Sequence, residues 1–377
     1  MGAARVLEYN IRDGKRCRRR RRAHDLASHG VKLTVLLLLL LLSLVFCLML
    51  QVVRAQDFNG ELDPLQVGAL RALGMSRIGL NACSVEPASV LTCNDNPVVQ
   101  HLVTLSVQNC PPTATLSDID FTYLSTTSLS QLSFIDCNVA APTEPPMVLM
   151  TSLLEFLLLN SLNPIPGWWL GRLHGLRNLT VVNVTVVVVE GLEVVLSNMN
   201  DLQFLTLQNA NLFAPLPVKS WPANLNSIAL SASDILGTIP ASLSELTHLQ
   251  NLDLSTNQLN GHIPSSLGEL QTLQILSLAA NRLTGPIPAS FGNLSALQKL
   301  DLSFNSLNGT LPPALGQLRG LTDLDLRGNK LLGGAIPFPT NVLKNMKTFL
   351  VSGTNLCYDP ILTSAELARG FSIPLCG

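Results

Sequence analysis

The chain has 377 residues, 47% hydrophobic and 13% charged, enough apolar material for a large core and too little charge for a disordered polyelectrolyte. Its formal charge of −1 hides an asymmetry: residues 1–55 hold 11 basic and 3 acidic residues, whereas residues 56–377 hold 13 basic and 22 acidic, a formal −9. A body of that sign repels the phosphate backbone, so nucleic acid is excluded from the expected partners.

Taken from the start, residues 15–22 read KRCRRRRR and residues 33–53 are an apolar run. A basic segment followed by an apolar one is the pattern of an export signal. This run is also long enough to span a bilayer as an anchor. Val53 and Ala55 are small residues placed for a cut after Ala55. Cut or retained, the segment keeps its positive end in the cytosol, so residues from 56 onward are expected outside the cell or in the lumen. Membrane contact is expected only through this N-terminal segment.

Residues 56–104 are read as an N-terminal cap. The stretch LDPLQVGALRALG (62–74) has helical spacing, with Leu65, Ala69, Leu70 and Leu73 on one face. Just beyond it, CSVEPASVLTC offers a short-range pair, Cys83–Cys93, in a chain whose export permits disulfides.

Residues 105–350 repeat themselves. NLDLSTNQLNGHIPSSLGELQTLQ, from Asn251, is followed by ILSLAANRLTGPIPASFGNLSALQ and then KLDLSFNSLNGTLPPALGQLRGLT. The unit is L-x-L-x-x-N-x-L-x-G-x-I-P, with its Asn at Asn257, Asn281, Asn305 and Asn329. Weaker copies centre on Cys110, Cys137, about Leu159, Val184, Ala210, Ser233 and Thr354, so about ten rungs lie between the caps. A period in the twenties with this leucine spacing is a leucine-rich repeat. The expected fold is an α/β solenoid, a right-handed superhelix with a parallel sheet on its concave face.

Within one unit, Leu252 and Leu254 point inward from a short strand and Asp253 points out. Asn257 sits where the chain leaves the strand and is expected to satisfy backbone groups that no ladder reaches. Its equivalents form a structural row, Asn257, Asn281, Asn305 and Asn329, with Cys110, Cys137, Ser233 and Thr354 as weaker substitutes. Ala210 has no polar side chain, so water or Asn209 is expected to stand in. Cys110 and Cys137 occupy this column in neighbouring rungs. Strand spacing of about 5 Å would admit a bond, yet free buried thiols are the expected state.

Residues 351–377 are read as a C-terminal cap pinned by Cys357–Cys376. Asn178, Asn183, Asn293 and Asn308 each begin an Asn-x-Ser/Thr sequon and are glycosylation candidates in an exported chain.

No H-E-x-x-H, G-x-S-x-G, phosphate loop, paired C-x-x-C or kinase signature occurs. His101, His174, His248 and His262 stand singly at unrelated points of the repeat. The expectation is a protein that is not an enzyme and takes no cofactor or metal. What the stack offers is a row of outward strand positions. Thr206, Ala229, Asp253, Ser277, Asp301 and Asp325 occupy the middle of successive strands. Phe204, Gln208, Asp253, Asp301, Phe304, Asp325 and Arg327 are the ligand-binding candidates, with Phe304 the best anchor because it is an aromatic among small residues. Trp168, Trp169 and Trp221 fall in irregular repeats, where core filling is the first expectation and a lateral docking patch the second.

LxGxIPxxLGxL resembles the extended 24-residue repeat of plant extracellular leucine-rich-repeat proteins. The ends, ALRALG…C…C and GTNLCYDP…PLC, are similar to those of plant receptor-like proteins, which have an ectodomain and no kinase. The order LDPLQ…ALRALG, LVTLSVQNC and LSFIDC resembles a subgroup involved in immune signalling. The resemblance covers about residues 57–377. It implies a cell-surface protein that binds a peptide or protein, in defence or development, beside a receptor-kinase co-receptor. The chain departs from the pattern in ending at Gly377 just after the second cap, so a secreted form, a type II anchored form and a truncated sequence all fit. Polygalacturonase inhibitors share this repeat and are the alternative, although they carry a fuller set of paired cysteines in the N-terminal cap.

Overall fold

The computed structural model describes residues 9–10, 18–19, 61–72, 91–93, 99–100, 102–110, 129–138, 151–359 and 370–376. The chain divides into two units, Met1–Asn59 and Gly60–Gly377. Of the first, only two paired dipeptides are described, Tyr9–Asn10 antiparallel to Arg18–Arg19. The apolar run 33–53, the cleavage position after Ala55 and Cys83 lie outside the described residues. No helix among the described residues is long and apolar enough to cross a membrane.

The second unit is built on one sheet of twelve strands. In chain order these are β1 (Leu91–Cys93), β2 (Leu102–Gln108), β3 (Gln131–Ile135), β4 (Glu155–Leu159), β5 (Asn178–Val182) and β6 (Phe204–Gln208). They continue as β7 (Ser227–Ala229), β8 (Asn251–Asp253), β9 (Ile275–Ser277), β10 (Lys299–Asp301), β11 (Asp323–Asp325) and β12 (Thr348–Leu350). Each strand pairs with the next in chain order. The pairing is parallel from β2 to β12, and only β1 runs antiparallel to its neighbour.

Parallel neighbours demand a crossover, and in the regular rungs it is the rest of the 24-residue unit. After β8 the chain turns at Thr256, whose φ is +57°. It crosses a second, five-stranded sheet at Asn260–His262 and returns through a 3₁₀ turn, Ser265–Glu269. Pro264 opens that turn with φ −63° and ψ 130°, a conformation its ring already favours. Gly261 takes φ +76°, which a side chain would resist.

The core is the column of leucines. Leu252, Leu254, Leu259, Leu267, Leu270 and Leu273 of one rung are fully buried against the equivalent residues above and below. A rung has no second layer of its own, so its apolar floor is covered only by its neighbours. At the N-terminal end the helix Pro64–Ala72 closes the stack. Its inward face is not the one its leucines suggest. Leu65 is exposed, while Gln66 is buried with Val67, Ala69 and Leu70. The reason is a polar contact: Gln66 Oε1 accepts a hydrogen bond from Leu102 N at 3.2 Å, which an aliphatic side chain cannot do.

The expectation of free thiols in the Asn column is wrong. Cys110 and Cys137 are bonded to each other, with Cα atoms 4.8 Å apart. Parallel rungs hold equivalent Cα atoms at about the strand spacing, inside the range a disulfide spans. Asn109 and Asp136, at φ +52° and +56°, turn the chain so that the two cysteines that follow reach one column. Cys357 and Cys376 are bonded to each other, also with Cα atoms 4.8 Å apart. Cys93 is disulfide-bonded.

The Asn column works by reaching backwards. Asn281 Nδ2 donates to Leu254 O of the preceding rung at 2.9 Å and to Leu278 O of its own at 3.1 Å. Its Oδ1 accepts from Leu259 N at 3.0 Å. Asn305 and Asn329 repeat the pattern one rung further on. Asn257 does the same upstream, accepting from Ser233 N and Ile235 N. At Ala210 neither water nor Asn209 is the substitute. Ser233 Oγ, from the next rung, accepts from Ala210 N at 3.2 Å and donates to Leu207 O at 2.7 Å. Asn209 points away and is exposed.

Candidate functional site

Strand register turns the outward residues into four columns running across the sheet. The first contains Gln131, Glu155, Asn178, Phe204, Ser227, Asn251, Ile275, Lys299 and Asp323 in successive strands. The second is the middle position, where Thr206, Ala229, Asp253, Ser277, Asp301 and Asp325 align side by side. A third column lies two residues further on. The fourth is the left-handed residue that ends each strand: Asn109, Asp136, Asn160, Asn183, Asn209, Ala232, Thr256, Ala280, Phe304 and, as glycine, Gly328.

Phe304 is 56% exposed in this fourth column. It owes its seat to Gly328 in the next rung. A Cβ at Gly328 would stand 2.8 Å from Phe304 Cδ1, so the ring rests where a larger residue would collide. Arg327 lies beside it, its guanidinium carbon 5.7 Å from the ring centroid. Asp325 fixes that guanidinium through Nε at 3.0 Å and Nη2 at 2.6 Å. The carboxylate hydrogen bond, and then its charge, raise the Arg327 pKa above its ordinary value, so the group is a permanent cation. A bidentate pair leaves other N–H donors of the fork turned outward. The result is an aromatic face and an oriented donor set side by side.

The remaining aspartates are also held. Asp253 and Asp301 accept from the backbone N–H two residues on, at Ser255 and Ser303. Asp323 accepts from the Thr322 and Thr348 hydroxyls. Those hydrogen bonds, Thr322 foremost, lower its pKa below the usual carboxylate value against a small opposing effect of burial.

Of the sequence candidates, Phe304, Asp325 and Arg327 meet in one cluster, with Asp301 one strand away. Phe204 and Gln208 share a different strand, β6, four strands off, where Phe204 is 44% exposed. Gln208 Nε2 is engaged by Ser231 Oγ at 3.0 Å. Asp253 stands between the two groups. Among the sequons, Asn183, Asn293 and Asn308 are exposed, whereas Asn178 is half-buried on the sheet face and accepts from Thr180 Oγ1 at 3.2 Å.

Sequence reasoning missed one feature and ranked another second. One is an amide ladder in the fourth column: Asn209 Nδ2 donates to Asn183 Oδ1 at 2.9 Å, Asn183 to Asn160 at 2.6 Å and Asn160 to Asp136 at 2.8 Å. The signal was the Asn or Asp just before four of the weak-repeat centres, at Asn109, Asp136, Asn183 and Asn209, and Asn160 just after a fifth. The other is the flank around Trp168. Trp169 is buried and packs on Phe156 with centroids 5.9 Å apart, as core filling requires. Trp168 instead is 42% exposed, with Arg172 stacked over it, and lines a shallow cleft with Val187, Val189 and Glu190.

Comparison with known proteins agrees with this architecture. Leucine-rich-repeat family models match residues 248–270 and 271–331. Receptor-like protein 55 of Arabidopsis thaliana is 35% identical over 191 residues, which is 49% of this chain and 44% of that protein. The match thus spans less than half of the relative. Three solved structures share the fold at low identity. The plant peptide hormone receptor RGFR1 in complex with RGF2 has a TM-score of 0.53 at 24% identity, covering 68% of this chain and 44% of that one. The Arabidopsis receptor kinase HAESA, solved with the peptide hormone IDA and the co-receptor SERK1, has a TM-score of 0.55 at 20% identity, covering 78% and 58%. A plant ice-binding protein matches at a TM-score of 0.54 and 19% identity, over 84% and 96%. The chain is a leucine-rich-repeat solenoid, similar in its repeats to plant receptor-like proteins.

Proposed function

We propose that this chain is an extracellular recognition module that binds a peptide or protein on the exposed face of its long sheet, without catalysing a reaction. The observation that carries the reading is the cluster of Phe304, Arg327 and Asp325 seated on Gly328. An oriented guanidinium beside an open aromatic ring is a composition that protein interfaces favour at their energetic centres. The similarity to a receptor-like protein supports the same reading, as does the fold shared with two peptide-hormone receptors. On this reading the protein works in defence or developmental signalling beside a receptor-kinase co-receptor. The leader delivers it to the cell surface or beyond, and the sequons carry glycans.

The test is capture from plant extracellular fluid by the full chain and by its Phe304→Ala and Arg327→Ala variants. A partner held by the wild type and at least tenfold weaker on either variant supports the site. Equal retention by all three removes it. A kinase ectodomain or signalling peptide among the specific partners supports the receptor-like reading. A polygalacturonase supports the inhibitor alternative instead.

A further inference from the structure

The N-terminal half of the sheet face differs in chemistry from the half that holds Phe304. In the regular rungs the third column holds no large aliphatic residue: it reads Ser255, Ala279, Ser303 and Arg327. In β3, β4 and β5 the same column holds Ile135, Leu159 and Val182, aligned side by side by the register. Each is half-buried rather than covered, and Leu157 adds a fourth aliphatic surface in the second column. Three neighbouring half-buried aliphatic residues, rimmed by polar ones, form an apolar strip on the sheet face, the composition of an interaction site.

Two further observations describe the occupant. The amide ladder borders the patch rung for rung, because Asp136, Asn160 and Asn183 directly follow Ile135, Leu159 and Val182. Each ladder Asn uses one N–H within the ladder and retains a second, with further acceptor capacity on its oxygen. These groups recur at the strand spacing of about 4.8 Å and suit the C=O and N–H groups of an extended main chain. The second observation is charge. Across the four columns from β2 to β9 the described residues include three carboxylates, Asp136, Glu155 and Asp253, and no lysine or arginine. The first cation in these columns is Lys299, although Arg177 stands just outside them at the entry to β5.

We infer that this half of the face seats a short, extended, cationic peptide segment whose aliphatic side chains rest on Ile135, Leu159 and Val182. Its basic side chains lie against Glu155 and Asp136 at one end and Asp253 at the other. Five strand steps separate β3 from β8, about 24 Å, and an extended chain advances about 3.3 Å per residue, so roughly eight residues bridge the carboxylates. The inference rests on the recognition function proposed above and adds the chemical class of the ligand. It does not depend on the Phe304 cluster.

The experiment is to pan a displayed library of random dodecapeptides against the full chain and to measure selected peptides by fluorescence anisotropy at low and high salt. Glu155→Lys and Val182→Lys are measured in parallel, with thermal unfolding to show that both fold as the wild type does. Glu155 is exposed, so its reversal keeps the test valid even where the Val182 variant is unstable. The expected result is a consensus combining Lys or Arg with Leu, Ile or Val, at least tenfold weaker binding to each folded variant, and weaker binding at high salt. An acidic or uncharged consensus overturns the inference, as does unchanged binding to the variants. If the selected peptides lose affinity only on Phe304→Ala, the recognition function stands and this inference falls. If no peptide is selected, the inference falls while the capture experiment still decides the function.

Discussion

A single buried carboxamide does in this protein what a strand ladder does elsewhere. Asn281 satisfies two carbonyls at about 3 Å and one N–H, in two different rungs. Removing it leaves Leu259 N without its acceptor, at a cost of about 1–3 kcal/mol, while Leu254 O and Leu278 O keep the amides of Asn257 and Asn305. Asn281→Ala is therefore expected to destabilise by roughly 2–3 kcal/mol, read from the midpoint of denaturant unfolding. Asn183→Ala removes hydrogen bonds that are exposed to water and is expected to cost about 1 kcal/mol or less. Equal losses for the two would show that burial is not what separates the columns. Phe304→Ala exposes no core and is expected to leave the unfolding midpoint nearly unchanged while it weakens partner binding. At this scale the buried residues were legible in the sequence and the exposed ones were not. Asn257 and its equivalents follow from the repeat, because one backbone geometry needs one side chain. The seat of Phe304 depends on a glycine 24 residues away, a relation that appears only once the rungs are in register.

The elements differ in what closes them. Where the Asn column fails, between β2 and β3, a disulfide joins Cys110 to Cys137. Closing a loop of 27 residues restricts the unfolded chain by roughly 3 kcal/mol. Cys110→Ser with Cys137→Ser is expected to lose about that much, measured under oxidising conditions against the wild type. Spacing alone placed both cysteines in one column, but the expectation of free thiols failed because spacing did not show that the residues before them turn left-handed. At the other end, Asp323 ties β11 to β12 through Thr348. Its depressed pKa makes this a stabilising contribution present above the ordinary carboxylate value of about 3.9 and lost as pH falls through the lower folded value. Unfolding temperature is accordingly expected to fall more steeply below pH 4 in the wild type than in Asp323→Asn. Parallel curves would show that the tie does not form in solution. The N-terminal helix was legible as a helix, and Ala69 and Leu70 lie on its buried face as expected, but Leu65 gives way to Gln66, whose amide oxygen accepts from Leu102 N.

Across the whole stack, the two halves are held differently. From β8 to β11 every rung has an Asn reaching to the rung before it, while the rungs upstream use serine, a disulfide or the exposed amide ladder. A solenoid's stability is close to a sum over rungs and their interfaces, so such differences persist locally instead of averaging out. Amide exchange followed by mass spectrometry is expected to be slowest in β8–β11 and faster in β5–β7. Uniform protection would mean that the stack opens only as one unit. The repeat made the solenoid legible from four clear copies, and the weak copies counted the rest. The chemistry of the face was not legible in the same way. Aliphatic and acidic residues scattered along the sequence become zones only after parallel pairing stacks them.

The backward reach of each carboxamide gives the assembly a direction in time. A ribosome releases the N-terminal layers first, yet a layer's carbonyl, held by the asparagine of its own layer, gains its second donor from the asparagine of the layer not yet made. With about 24 residues still to be translated at roughly 5–20 per second, each newly emerged layer waits one to several seconds, incompletely latched, for its successor. The growing tip is thus always the weakest part of the nascent chain.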